Sequence, residues 1–329
     1  MPVDLKLQTL LDAAKALGHP PTHELTPELA RQHRAEMMER FVAMPEYAGV
    51  RVEARTIVVE AEGSASADFA SRGAGREIGV RVYTPPGGER GPLPVMVFFH
   101  GGGWVTGTLE THDPYCRALA TEADVVVVSV DYRLAPEHKF PAAVEDCTAA
   151  TEWVLAHAGE LGGDASRVMV GGDSAGATLA AVAALLLRDK GVTGLVGQML
   201  LYPIAGYYDP PTGSYLENAE GYGLTRKAMI WFWDHYLSDK AEGKDFRAAP
   251  LLAASLAGLP RAFVVTAEYD VLRDEGQAYA RRMADEGVKV THVFVPGMNH
   301  AFAASANEFP FLTQAKDVLR QAAGWVNAG

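Results

Sequence analysis

Between residues 166 and 187 the chain passes from a strand-like stretch, Ser166 to Val170, through Gly172-Asp173-Ser174-Ala175-Gly176 into small apolar residues, Ala175 to Leu187. That order predicts a strand, a sharp turn and a helix. The central residue of so tight a turn carries strained backbone, at roughly 1 to 3 kcal/mol, and the flanking glycines let strand and helix approach closely. The Ser174 hydroxyl is thereby pushed out of the sheet. Glycine-rich turns of this kind also cradle phosphates. A dinucleotide fingerprint, however, needs glycines at its first, third and sixth places; counting from Gly171, the third place holds Asp173, and no Gly-Lys-Ser/Thr follows. A nucleophilic serine is the better reading.

Upstream, Leu93 to Phe99 reads as a buried strand that runs into His100-Gly101-Gly102-Gly103-Trp104. Three consecutive glycines leave the backbone uncovered, so N–H groups can converge on an anion, as an acyl-transfer oxyanion hole requires. The expected donors are the amides of Gly102 and Gly103, joined by that of Ala175 at the helix start. A plain flexible loop is the alternative. It does not explain why the glycines follow a core strand between a histidine and a tryptophan.

A serine hydroxyl needs a base within hydrogen-bond reach and a carboxylate to orient that base. Two late strands supply both. Arg261 to Thr266 is followed by a loop with Glu268, Asp270 and Asp274, and Val290 to Val295 by a glycine-containing loop with His300. In a parallel sheet these loops leave at the edge that carries Ser174, in the chain order Ser, Asp, His. Of ten histidines, His300 alone follows a late strand in this way. His19, His23 and His33 fall in a polar N-terminal stretch. His112, His138, His157 and His235 read as surface or helix positions, His292 as packed within a strand, and His100 as a buttress of the glycine loop. Asp270 lies nearest its strand; Glu268 and Asp274 are rivals with blander uses. Asp173 is expected to hydrogen-bond the neighbouring loop.

Four stretches now support a resemblance: His100 to Trp104; Asp131 to Pro141 with Glu145-Asp146; Gly172 to Gly176; and Glu268-Tyr269-Asp270 with His300. Together the chain resembles a bacterial carboxylesterase of the hormone-sensitive-lipase family, in the subgroup carrying Gly-Asp-Ser-Ala-Gly. The resemblance implies an α/β-hydrolase fold, a mostly parallel sheet flanked by helices with a small helical cap. It implies Ser174 as nucleophile, His300 as base, Asp270 as orienting acid, and a hole formed by Gly102, Gly103 and Ala175. Relatives often have proline after the acid where this chain has Val271, which implies a less rigid loop. The Tyr132 to Pro141 segment has no chemistry readable from its residues and, by resemblance, serves as scaffold.

Helical spacing over Leu5 to Leu17 and over Pro27 to Met44, with Thr26 as N-cap, predicts two short helices before a first strand at Arg55 to Val59. A second insertion, Ala205 to Ser238, ends in an aromatic helix around Met229 to Tyr236. The expected division is residues 1–50 as the N-terminal part of the cap, 51–204 as hydrolase core, 205–240 as the cap insertion and 241–329 as core again. Trp231, Phe232, Trp233 and Tyr236 mostly pack that helix; Phe41, Leu224 and Trp104 are candidates to face substrate. Glu60 to Gly75 reads as a loose surface connection.

Composition narrows partners. With 29 basic against 41 acidic residues the net charge is −12, and no basic stripe could track phosphates, which argues against nucleic acid and mildly favours neutral esters. No apolar run reaches the roughly 20 residues that span a bilayer, so membrane insertion is not expected. Cys116 and Cys147 are too few for a zinc site or disulfide framework and fit reduced fillers in a cytoplasmic protein; no metal or organic cofactor is called for. The resemblance, to relatives with so small a cap, implies a small-molecule ester with a short- to medium-chain acyl group as partner. An amidase, deacetylase or carbamate hydrolase could use the same residues, and a ligand-binding homologue that has lost the histidine is a further alternative, against which His300 speaks. By analogy with the family, a homodimer would form through Val290 to Ala328.

Overall fold

The computed structural model describes residues 2–38, 47–59, 75–88, 91–304 and 311–328. Among them eight strands form one sheet: β1 (Arg51–Val59), β2 (Arg76–Thr84), β3 (Leu93–Phe99), β4 (Val126–Asp131), β5 (Gly163–Asp173), β6 (Leu195–Leu201), β7 (Arg261–Tyr269) and β8 (Val290–Asn299). Their order is β1-β2-β4-β3-β5-β6-β7-β8. β2 runs antiparallel to β1 and to β4, and every later pairing is parallel. This is the α/β-hydrolase fold. The first strand starts four residues earlier than Arg55, because Arg51 and Glu53 face outward on an edge strand and carry no apolar signal.

Period-two alternation in the central strands feeds two cores. Val95, Val97 and Phe99 of β3 join one apolar cluster, whereas Met96 and Phe98 join the other. The first cluster is closed by α4 (Ala142–His157), α5 (Ala175–Asp189), α7 (Arg226–Tyr236) and α8 (Arg273–Asp285). The second is closed by α3 (Asp113–Ala123) and α9 (Thr313–Asn327). Cys116 and Cys147 are buried free thiols, one in each cluster.

Two N-terminal helices, α1 (Leu5–Ala16) and α2 (Pro27–Met38), lie against this frame. Asp4 caps α1 by accepting the N–H groups of Lys6 and Leu7, and Leu7 is buried with Met298 and Phe302. Thr26 Oγ1 accepts the Leu29 N–H at 3.3 Å, as an N-cap does. Arg31 then ties α2 to the core, donating to the carbonyls of Val105 and Ala135 and to Glu137. That pairing holds the Glu137 carboxyl down at about 2. The continuation of α2 to Met44, Phe41, and the connection 60–74 lie outside the described residues. The short α6 (Gly213–Glu217) precedes α7, whose Thr225 cap accepts the Ala228 N–H, and Trp231 Nε1 donates to the Leu25 carbonyl.

Candidate active site

β5 ends at Asp173 and α5 begins at Ala175, so Ser174 makes the whole turn. Its φ of 54° and ψ of −122° lie in a region costly for a residue with a Cβ. The strain is held in place by close backbone approach. A Cβ on Gly172 or Gly176 would run into the Phe99 carbonyl, and the Ser174 N–H is tied to the Leu201 carbonyl at 2.8 Å.

The loop after β8 brings His300 to this turn. Its Nε2 lies 2.8 Å from Ser174 Oγ and its Nδ1 2.8 Å from Asp270 Oδ2. All three side chains are buried, with Ser174 and His300 each only 7% exposed. The second Asp270 oxygen, Oδ1, accepts the Leu272 N–H at 2.9 Å, so the carboxylate is held on both sides. Neither rival acid touches His300. Glu268 Oε2 accepts the Gly297 N–H, and Asp274 accepts the Ser214 N–H and pairs with Arg273.

The acid loop is clamped without a proline at Val271. Asn218 Nδ2 donates to the carbonyls of Asp270 and Glu268, and Ser214 Oγ donates to the Val271 carbonyl at 2.7 Å. Val271 itself is fully buried. Behind it Glu275 is buried, and burial pushes its carboxyl well above the ordinary range even though it accepts the Ala205 N–H. Tyr202, at the end of β6, sets its ring edge-on to the His300 imidazole at 4.8 Å and accepts the Ala304 N–H. Sequence reasoning missed Asn218, Ser214 and Tyr202, which are single residues with no spacing pattern around them.

The glycine loop follows β3. Gly102 and Gly103 take φ values of 132° and 59°, conformations open to glycine. Among the described residues no acceptor takes the N–H of Gly102, Gly103 or Ala175, which leaves three amides free beside the serine turn. Asp173 Oδ1 accepts the Gly101 N–H at 2.8 Å, the loop bond foreseen for that residue. His100 is a buried buttress: its ring stacks on Tyr132 at 4.3 Å, and Tyr132 Oη donates to the His100 carbonyl at 2.6 Å. Burial lowers the His100 pKa to about 3, so that ring stays neutral near neutral pH. Tyr132 thus shows what its segment does, and Arg133 anchors the same segment by three donations to Asp146.

Three sequence readings need correction. His112 is not at the surface: it has no exposed area and faces Asp173 at 3.0 Å. Its polar neighbours Thr111 and Asp113 gave it the look of a solvated helix start. His292 lies in β8 but on the exposed face, with Nε2 2.8 Å from Thr266 Oγ1. Trp104, at φ 62°, is likewise fully enclosed, stacked on Tyr236 at 4.2 Å and tilted on Trp233 at 4.7 Å. It supports the loop from behind and offers no surface to a substrate. Leu224 is partly buried against the first core, and Phe232 covers the side of Gly103 where a Cβ would point.

A hydroxyl, imidazole and carboxylate in hydrogen-bonded series beside free amides, on the loops of an α/β-hydrolase sheet, define a serine hydrolase. The comparisons narrow the class. A family model described as alpha/beta hydrolase fold matches residues 96–304. Carboxylesterase NlhH of Mycobacterium tuberculosis is 45% identical over 246 residues, 73% of this chain and 75% of that protein. Esterase LipI of the same organism is 43% identical, over 75% of this chain and 78% of its own. The crystal structure of a thermostable esterase from Pseudomonas putida superposes with a TM-score of 0.90 at 37% identity, covering 99% of this chain and 97% of that one. The chain belongs to the hormone-sensitive-lipase family of α/β hydrolases and is a serine carboxylic ester hydrolase. Its substrates are small molecules. Among the described residues no helix is long and apolar enough to cross a membrane, and no group of three or more His, Cys, Asp or Glu could hold a metal ion.

Proposed function

We infer that this chain hydrolyses neutral esters with short- to medium-length acyl groups by a two-step acyl transfer on Ser174. The observation that carries the reading is the unbroken series from Ser174 Oγ through both nitrogens of His300 to Asp270, each link 2.8 Å. His300 Nε2 takes the Ser174 proton as Oγ bonds to the ester carbonyl carbon, and the negative charge that develops on the carbonyl oxygen is received by the amides of Gly102, Gly103 and Ala175. Each such donor is worth about 3 to 4 kcal/mol in the transition state. The imidazolium then protonates the alcohol oxygen as the carbonyl carbon–oxygen bond breaks. Water, deprotonated by the same nitrogen, attacks the acyl carbon, and the imidazolium returns that proton to Ser174 Oγ as the acyl–oxygen bond breaks and the acid leaves. Asp270 keeps the Nδ1 proton in place and stabilises the imidazolium throughout.

In this reading residues 1–50 and 205–240 form a cap over the serine. The α7 contact with Leu25 and the position of Phe232 against Gly103 support it. Each methylene in an apolar pocket contributes only about 1 to 3 kcal/mol, so the acyl preference is broad. A cytoplasmic setting suits two buried free thiols, and a homodimer would use Val290 to Ala328, which includes the edge strand β8 with its exposed Phe294. The test is kcat/KM over p-nitrophenyl acetate, butyrate, hexanoate, laurate and palmitate. A maximum among the shorter esters is expected; a rate that rises only with long, micellar substrates overturns the acyl range.

A further inference from the structure

The seam between the oxyanion loop and the serine turn holds an imidazole for which the chemistry above has no use. His112, immediately before α3, points Nε2 at Asp173 Oδ1 from 3.0 Å. The same nitrogen lies 3.3 Å from the Gly101 amide, whose N–H also donates to that carboxylate oxygen at 2.8 Å. On the other side of the ring, Nδ1 is 2.8 Å from Thr111 Oγ1. That hydroxyl is fixed in turn, 2.8 Å from the Thr108 carbonyl and accepting the Thr108 N–H at 2.9 Å. Both ring nitrogens are therefore engaged. The ring cannot turn without breaking a buried polar contact.

What His112 steadies is a carboxylate in an expensive place. Burial alone would raise the Asp173 pKa, but the neighbouring His112, with Arg34 and the Gly101 amide, outweighs it and holds the carboxyl below its usual range. Gly101 has no freedom on this side, since a Cβ there would strike Asp173. The next two residues are the glycines with free amides. Their direction is set from one end by the Gly101 anchor and from the other by Thr106, whose N–H and Oγ1 donate to the Gly102 carbonyl at 2.9 and 3.1 Å.

We propose that His112 is a positioning residue for the oxyanion loop: it holds the Asp173 carboxylate against the Gly101 amide and so aims the Gly102 and Gly103 N–H groups at the developing oxyanion. The proposal rests on the Ser174 chemistry inferred above. A ring that merely fills space would affect how much protein folds. A positioning ring affects how fast each folded site turns over.

The experiment compares wild type, His112→Ala and His112→Gln, with active sites counted by fluorophosphonate labelling of Ser174. For each, kcat and KM on p-nitrophenyl butyrate are measured, together with inhibition by a trifluoromethyl ketone, whose serine adduct carries an oxyanion. His112→Ala should lose about 10- to 100-fold in kcat per titrated site and a similar factor in ketone affinity, with KM changed by less than about twofold. His112→Gln, whose amide nitrogen can still reach Asp173, should recover most of both. Wild-type kcat per site in His112→Ala, with only the melting temperature lowered, overturns the proposal, as does equal loss in both variants. If His112→Ala does not fold, Thr111→Val frees one side of the ring. A fall of a few fold in kcat at constant KM then supports the role, and an unchanged kcat overturns it. A wild-type enzyme that does not label at Ser174 would bring down the nucleophile assignment and the positioning role together, whereas a labelled wild type with indifferent variants removes the positioning role alone.

Discussion

The serine turn and helix α7 both brace the glycine loop, yet they do so with different materials. At the turn, main chain meets main chain: Gly172 and Gly176 press on the Phe99 carbonyl, and Asp173 grips the Gly101 amide. At α7, ring meets ring: Trp104 lies between Tyr236 and Trp233, and Phe232 lies over Gly103. A backbone contact admits one residue type, because the only atom that can be removed is the Cβ. A packed ring can be exchanged for another of similar volume at modest cost. Catalytic geometry should therefore be brittle at the first region and tolerant at the second.

The largest expected effect is at the turn. Gly176→Ala places a Cβ on the Phe99 carbonyl, with no flexible side chain to give way, and should leave no cooperatively melting, active protein. A folded Gly176→Ala enzyme with near wild-type kcat would break the comparison. Next in size is Asp270→Asn, which keeps the shape of the loop but loses the acceptor that fixes the His300 tautomer. We expect kcat to fall by about 10⁴-fold with little change in melting temperature; steady-state kinetics and calorimetry on the same sample check both.

At α7 the order reverses. Tyr236→Ala removes a buried ring from the stack on Trp104 and should cost about 3 to 5 kcal/mol in denaturant unfolding, while kcat per titrated site stays within a few fold. A large loss of kcat per site would show that the stack also aims the loop and would sharpen the comparison in the opposite sense. The smallest effect concerns Glu275. Its carboxyl is raised from the ordinary 4.5, so the folded protein holds a proton there that the unfolded chain releases. That contribution is complete below the unfolded pKa and declines as pH rises towards the folded one. Glu275→Gln cannot ionise, so its melting temperature should exceed that of wild type at pH 8, with the gap closing towards pH 4.

The same contrast explains which parts of the molecule are legible in the sequence. The glycine loop, the serine turn, and the placing of Asp270 and His300 in loops after late strands were legible because backbone geometry restricts residue choice and leaves spaced motifs. The strands between Leu93 and Phe99 and between Arg261 and Thr266 were legible as uniform apolar runs, the mark of strands covered on both faces. The edge strands were not: β1 begins and β8 ends in residues whose polarity or glycine content hides the strand. Nor were His112, Ser214 and Asn218, whose side chains hydrogen-bond partners far along the chain and have no sequence period. Trp104 misled in another way. An aromatic beside a catalytic loop suggests a substrate wall, and only its positive φ, invisible in sequence, turns it into the core.

Everything above turns on Ser174 Oγ, activated by His300, forming the acyl bond. Rapid quench of the enzyme with p-nitrophenyl butyrate, followed by peptide mass spectrometry, addresses it directly. A burst of p-nitrophenol and one butyryl group on the peptide that contains Ser174 are expected, both absent in Ser174→Ala. Hydrolysis at the wild-type rate with no acylated peptide, or acylation of another residue, would contradict it.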